Sequence, residues 1–535
     1  MKDETIPLRK DVPAEYKWDL TQLYKTDEEW EADLKKIPSL IKNFASFKGR
    51  LAESSSIFLE ALKADEVLDR QIEKVYHYAS LNNEADQGDS AAQEKHSRVM
   101  MAYTAACSET SFFTPELLAI PDEKINSWIE QPEFKDYKIY IQKALHAKPH
   151  ILSEKEERIM ALQSESGQTA SNVFSLLNDV DMNFGTVEVE GKQLPLTHST
   201  WSDFEENQDR KIRKEAYEKF YGVFESHANT LAALYSGSVK NDIFHARARG
   251  YNSSLEAALY GDKVPVSVYK NLIETVHKNL DTLHRYYEIR RKVLEVEELR
   301  HYDVYVPLVK SVKSKISYDE SVEIVRNALA VLGSEYTDTL CGGLKGGWVD
   351  RFENKGKNSG AFSSGCYEGY PYILLNYKDT SLRDVYTMAH EGGHSMHSWY
   401  SVRNNPFMSY EYTIFEAEVA STFNEELVFE YLLKNAKDHE MKKYLLSMRA
   451  NDILATLHRQ TMFAEFELKC HEAVENNEPL STEAIRSIYR KLLEQYFGPA
   501  MKFEKSSDME GLRIPHFYNA FYVYKYSTGI SAALA

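Results

Sequence analysis

The chain has 535 residues, only 23 of them Gly and 15 Pro, and a net charge of −18. So few chain breakers over such a length exclude a disordered or collagen-like polymer and disfavour a sandwich or barrel, which leaves long helices as the expected content. The acidic excess excludes a nucleic-acid partner, whose affinity rests on Lys and Arg neutralising phosphates, and no window of about 18 apolar residues is present to cross a membrane.

Apolar residues make up 43% of the chain, enough for a sizeable core, and Tyr is abundant at 35. A buried Tyr hydroxyl needs a partner, so polar internal surfaces are expected. Cys107, Cys341, Cys366 and Cys470 fall in no metal-finger or redox spacing and are expected to be reduced thiols. The opening MKDETIPLRKDVPAEYKWDL has no apolar h-region, so the expected compartment is the cytoplasm. In that compartment the Asn252-Ser253-Ser254 sequon carries no meaning. Composition makes no statement about oligomeric state.

Residues 1–17 are polar and read as extended. From Asp19 to about Phe184 the apolar residues recur at three and four, the helical period, with charges between them. Ser153 opens a Ser-x-x-Glu helix start. The pattern breaks at TVEVEGKQLPL, 186–196, which alternates apolar and polar about Gly191 and predicts a hairpin. A domain boundary is placed there, giving an N-terminal helical domain over 1–195 and a second domain over 196–535. Helical periodicity returns from about Asp203 to Glu298, with a break at Gly250. A Gly- and Ser-rich zone from Gly342 to Tyr377 predicts loops and two or three strands. Helices are expected near 381–402, 412–435, 439–475 and 482–496, followed by a Tyr-rich segment over 516–526. The chain ends at ISAALA inside an apolar helical run without a C-cap signal, so the natural chain is expected to continue.

Positions 390–394 read His-Glu-Gly-Gly-His within the helical stretch SLRDVYTMAHEGGHSMHSWY. Residues four apart share a helix face one turn apart, so His390 and His394 can reach one metal ion. Glu391 can then reach a water on that ion without ligating it, the arrangement of a zinc peptidase. In a chain with 17 His such a match arises by chance on the order of a few per cent of the time, so context has to carry the reading. Gly392 and Gly393 each weaken a helix interior by up to about 1 kcal/mol, which is tolerated where something approaches the backbone closely. A metzincin-type third histidine is absent, since positions 397 and 400 are His397 and Tyr400. Three ligands along one straight helix cannot converge on a tetrahedral ion, so His397 reads as packing or as support for a ligand. The next predicted helix and its approach offer Glu411, Glu416, Glu418, Glu425 and Glu426 as the third ligand, and spacing does not choose among them. Glu418 and Glu425, seven apart, share a face. Asp384 is expected either to orient a ligand histidine or to serve as a helix-start charge.

His390-Glu391-Gly392-Gly393-His394 followed by Glu418-Val419-Ala420-Ser421 resembles the thimet oligopeptidase superfamily, and most closely its oligoendopeptidase F branch. The resemblance extends through VPAEYKWDLTQLY, QDRKIRKEAYEKF, ARARGYNSSLEAAL, GWVDRFENKGKNSGAF and PHFYNAFYVYKYSTG, motifs in the same order over most of the chain. It implies a mainly α fold, two helical domains around a deep substrate cleft, with a small β region beside the zinc-binding helix. It implies one Zn2+ held by His390, His394 and Glu418, with Glu391 as general base. It assigns oxyanion stabilisation and substrate holding to His516, Tyr522 and Tyr524, with Tyr518 and Tyr526 as rivals, and a phenol suits that task because it can donate to a developing negative oxygen. The segment Gly360–Tyr377 is implied to flank the cleft, where an edge strand can pair with a peptide backbone. The implied activity is hydrolysis of internal bonds of short unfolded oligopeptides. An exopeptidase and a catalytically inactive peptide-binding scaffold are the competing readings. The first lacks a motif for a free terminus, and the second is opposed by the presence of all three ligands and the base.

Overall fold

The structure, a computed structural model, describes residues 6–309 and 315–535. It is mainly helical, with seven short strands among the described residues. The chain gathers into two compact units, each made from two stretches: Met1–Pro149 with Lys313–Asn435, and His150–Val312 with Ala436–Ala533. The division expected between residues 195 and 196 therefore falls inside the second unit. The hairpin there packs on the helix Arg210–Ser226, and Lys219 donates to the Thr186 carbonyl at 2.6 Å. Periodicity reports local structure, and it does not report which helices share a core.

The first unit is built around the 31-residue helix Ser55–Ala85. Ser54 caps it by accepting the Ile57 N–H at 3.2 Å. Phe58, Ala61, Leu62, Leu68, Ile72, Val75 and Ala79 repeat at helical spacing and are buried with Trp30, Phe44 and Phe113. Each large side chain so buried contributes about 1.5–3 kcal/mol. Residues 1–5 lie outside the described residues, and the rest of the opening is less extended than expected, with 3-10 turns at Arg9–Asp11 and Ala14–Tyr16. Arg9 is drawn in by charge: it donates to Asp350 at 2.8 Å, and Asp350 also pairs with the buried Lys357 at 2.8 Å.

The Gly-rich zone forms three strands in the order Val349–Asp350, Tyr372–Leu374, Phe362–Ser364. The first pair is parallel, and the second is antiparallel with Ser363 opposite Ile373. Gly342 and Gly343 belong to the helix Ser334–Lys345 rather than to a loop. A Cβ on Gly343 would sit 2.2 Å from the Trp348 ring, so glycine there admits the indole.

The second unit contains the antiparallel hairpin Thr186–Val189/Lys192–Pro195, turning through Glu190 and Gly191 at φ 50° and 78°, as its sequence predicted. Gly250, at φ 74°, ends the helix Ala228–Ala248 region where the break was expected. Several buried tyrosines have the polar partners that composition called for, although the Tyr235 hydroxyl has no oxygen or nitrogen partner. Tyr489 donates to Glu510 at 2.7 Å, Tyr496 to Glu465 at 2.9 Å, and Tyr269 to the Ala464 carbonyl at 2.7 Å. All four cysteines are unpaired. No described helix is long and apolar enough to cross a membrane.

Candidate metal centre

His390, Glu391 and His394 lie on the helix Leu382–Asn404, and Glu418 and Glu425 on the helix Ile414–Lys434. The second helix starts with a capping box, Glu416 accepting the Thr413 N–H at 3.0 Å. What lets the two helices approach is Gly393. A Cβ there would lie 2.6 Å from the Ala420 carbonyl oxygen and 2.6 Å from the Ser421 Cα. Asn424 fixes the register, donating to the Ala389 carbonyl at 3.1 Å while accepting from Tyr336 at 3.0 Å. Gly392 instead faces Leu340, whose Cδ1 a Cβ would meet at 3.0 Å.

This approach brings three donor atoms together. The Nε2 atoms of His390 and His394 are 3.2 Å apart, and Glu418 Oε2 lies 3.6 Å from the first and 3.9 Å from the second. Zinc at about 2.0–2.1 Å from each ligand in a tetrahedron would set donors about 3.3 Å apart. The triangle of two imidazoles and one carboxylate therefore fits such an ion in size and in ligand chemistry. It forms the sole such His, Cys, Asp and Glu cluster among the described residues.

Both imidazoles are oriented from behind. His390 Nδ1 hydrogen-bonds Glu425 Oε1, which commits that nitrogen to the proton and leaves Nε2 with its lone pair. Burial alone would lower the His390 pKa, but the bond to Glu425 and the charges of Glu425, Glu391 and Glu418 raise it. The His394 ring is bonded to the Ala417 backbone carbonyl. Burial, with the charges of His390 and His397, depresses His394 to about 3, so it is a neutral imidazole at neutral pH.

Glu391 is 7% exposed. Burial, opposed by His390 and reinforced by Glu418 and Glu425, pushes its carboxyl up to about 7. It hydrogen-bonds the Ser363 backbone in the edge strand Phe362–Ser364. Ser363 and Ser395 hydroxyls, 2.8 Å apart, tie that strand to the motif helix.

Glu425, weighed from sequence as a possible ligand, thus stands behind His390 instead, and Glu416 is used by the cap. Asp384 does not reach a ligand histidine: it accepts the Lys378 N–H at 2.6 Å in the first turn of its helix. His397 stacks on Tyr412 with ring centroids 3.6 Å apart, a packing role.

The C-terminal candidates belong to the second unit. His516, exposed on the turn Pro515–Tyr518, has its ring 6.3 Å from Tyr522 and 6.2 Å from Tyr526, which are themselves 5.5 Å apart. Tyr524 is a correction. It is 0% exposed, with its ring 5.0 Å from that of Tyr269, because the helix beginning there turns it to the opposite side from Tyr522 and Tyr526. Tyr518 stacks on Phe174 at 4.4 Å. The i, i+4 spacing of Tyr522 and Tyr526 was the available signal for the pair that shares a face.

The family model described as Peptidase family M3 matches residues 204–535, and one described as Oligopeptidase F matches residues 116–184. The chain is 45% identical to an oligoendopeptidase F homolog of Borreliella burgdorferi over 98% of its length and 89% of the relative's. It is 40% identical to oligopeptidase PepF of Bacillus subtilis over 100% of its length and 80% of the relative's. Among solved structures, oligoendopeptidase-F of Enterococcus faecium superimposes with a TM-score of 0.70 at 32% identity, covering 95% of this chain and 87% of that one. Fold and comparisons together define a helical metallopeptidase. The chain belongs to peptidase family M3, in its oligoendopeptidase F branch.

Proposed function

We propose that the protein is a zinc-dependent endopeptidase that hydrolyses internal bonds of short unfolded peptides in the cytoplasm. The observation that carries this reading is the triangle of His390 Nε2, His394 Nε2 and Glu418 Oε2, with Glu391 one residue from the first donor. His390, His394 and Glu418 would hold the ion. When bound, zinc supplies Lewis acidity toward a carbonyl oxygen and a water acidified to a pKa of about 7.

Glu391 takes the proton of the attacking water and delivers it to the leaving amine. Its burial suits a base that must give the proton back. Ser363 holds its carboxylate until substrate arrives. The strand Phe362–Ser364 is at the edge of its sheet, and a peptide backbone laid along that edge would be read without regard to side-chain identity. His516, Tyr522 and Tyr526, clustered within the second unit, are the hydrogen-bond donors assigned to the peptide's carbonyls. The preference for short peptides is drawn from the relatives named oligoendopeptidase and oligopeptidase. Four unpaired cysteines agree with a reducing compartment.

The test is cleavage of an internally quenched peptide with both ends blocked, with products mapped by mass and with chelator as control. Cleavage within the chain, lost with chelator and restored by zinc, is expected. Glu391→Gln should lower kcat by at least 10²-fold with zinc content unchanged. Full activity in Glu391→Gln, or cleavage only of peptides with a free end, would overturn the reading.

A further inference from the structure

Five described non-glycine residues have positive φ: Glu190, Lys263, Glu295, Asn477 and Phe521. The first four are exposed, whereas Phe521, at φ 59°, is 2% exposed. A bulky residue persists in the left-handed region only where its surroundings over-determine it, and such outliers cluster at functional sites. Phe521 lies between the turn that carries His516 and the helix that carries Tyr526, immediately before Tyr522.

Its polar contact comes from the helix Arg459–Glu475, and its ring also packs edge-on against Tyr269, 5.8 Å away, on the helix Val266–Lys278. Glu467, 0% exposed, accepts the Phe521 N–H through Oε1 at 3.1 Å. The Phe521 ring lies 4.6 Å from that of His471, which is anchored to Asp242 at 3.2 Å and to the Glu467 carbonyl at 2.8 Å. Glu467 Oε2 has no hydrogen-bond partner, so a single backbone N–H is the polar contact of a fully buried carboxyl. Burial raises that carboxyl well above the usual carboxylate range. An acid kept in so unfavourable a place, and bonded to the backbone of a residue in so unfavourable a conformation, is not explained by packing. The turn has one consequence: Phe521, Val523 and Tyr524 point into the core, and Tyr522 is left beside His516 and Tyr526.

We infer that Glu467 is a positioning residue for peptide hydrolysis, holding Phe521 in its left-handed turn so that Tyr522 faces the substrate together with His516. The inference rests on the reading above that Tyr522 and His516 touch the peptide.

The test is a double-mutant cycle on the full, zinc-loaded chain with the blocked quenched peptide, reading kcat, KM, zinc content and Tm. Glu467→Met, which fills the space but cannot accept, should lower kcat at least tenfold with KM within threefold and zinc unchanged. Glu467→Gln, whose amide oxygen still accepts the Phe521 N–H, should keep kcat within threefold. In a Tyr522→Phe background, Glu467→Met should add less than threefold. A Glu467→Met loss that multiplies in full on an impaired Tyr522→Phe overturns the inference alone. Parental kcat in Tyr522→Phe overturns the reading beneath it as well. Should Glu467→Met not fold, Glu467→Gln decides: near-parental kcat supports the inference, and a tenfold loss overturns it.

Discussion

At the residue scale, the chemistry turns on which nitrogen of each imidazole is free. Glu425 behind His390 and the Ala417 carbonyl behind His394 settle that before any ion arrives. Removing such a carboxylate commonly costs 10–100-fold in metal affinity. Glu425→Ala should therefore weaken zinc binding by that factor in a competition titration with a chelator. Glu416→Ala, which removes only a cap, should leave zinc affinity unchanged and lower Tm slightly. Equal zinc affinities in the two variants would remove Glu425 from the account. The sequence held part of this. His390, Glu391 and His394 were legible because their spacing is the chemistry, and the shared face of Glu418 and Glu425 was legible from their separation. Which of the two carboxylates lies forward and which behind depends on how far the helices slide past one another, and no local pattern encodes that.

At the scale of elements, Gly393 is the point where sequence, packing and chemistry meet. The glycine pair signalled a close approach, and the structure names the partner as the backbone of Ala420 and Ser421. Gly393→Ala should push the helices apart, since backbone cannot turn aside, and should reduce both Tm and zinc content. Gly392→Ala meets only side-chain atoms of Leu340 rather than backbone, and gains up to about 1 kcal/mol of helix propensity, so it should be close to neutral. Zinc assay and thermal melts of the two variants check the contrast, and equal behaviour would contradict it. Helices were legible because their apolar period is local, and the hairpin because Gly191 allows its turn. The strand pair Val349–Asp350/Tyr372–Leu374 was not resolved in advance, since two-residue pairings leave no alternation to read. Tyr524 was misplaced for a related reason: a run of tyrosines has no apolar-polar contrast to show which face is inside.

At the scale of the whole molecule, two kinds of buried charge make stability depend on pH in opposite directions. In the second unit, burial alone would raise Glu510, but Arg459, His301 and Arg513 outweigh it and hold the carboxyl at about 2 rather than 4.5. A depressed acid contributes stability above its unfolded value and loses it as pH falls, here worth ~3 kcal/mol between about pH 5 and 2. His301, driven by burial to about 4 from 6.5, acts in the same sense, because the unfolded chain takes up a proton first. In the first unit, burial and the charge of Asp69 lift Asp65 to about 8, so that carboxyl penalises the fold at high pH and is relieved as pH falls. Melts across pH should show Asp65→Asn raising Tm at pH 9, with the gain shrinking as pH falls through 8 and gone below about pH 4. Glu510→Gln should lower Tm at pH 7 and narrow the gap to the parent by pH 3. The reverse order would show that these groups do not set the profile. The division of the chain into units was the least legible feature of all, because each unit is assembled from two distant stretches.

Peptide hydrolysis by this chain requires Glu418 to complete the grip of the two histidines on one ion. Zinc per chain, measured after dialysis for the parent and for Glu418→Ala, tests it most directly. One zinc per parent chain, and a loss of bound metal together with peptide cleavage in Glu418→Ala, is the predicted result. A Glu418→Ala chain that keeps its zinc and its kcat would contradict it.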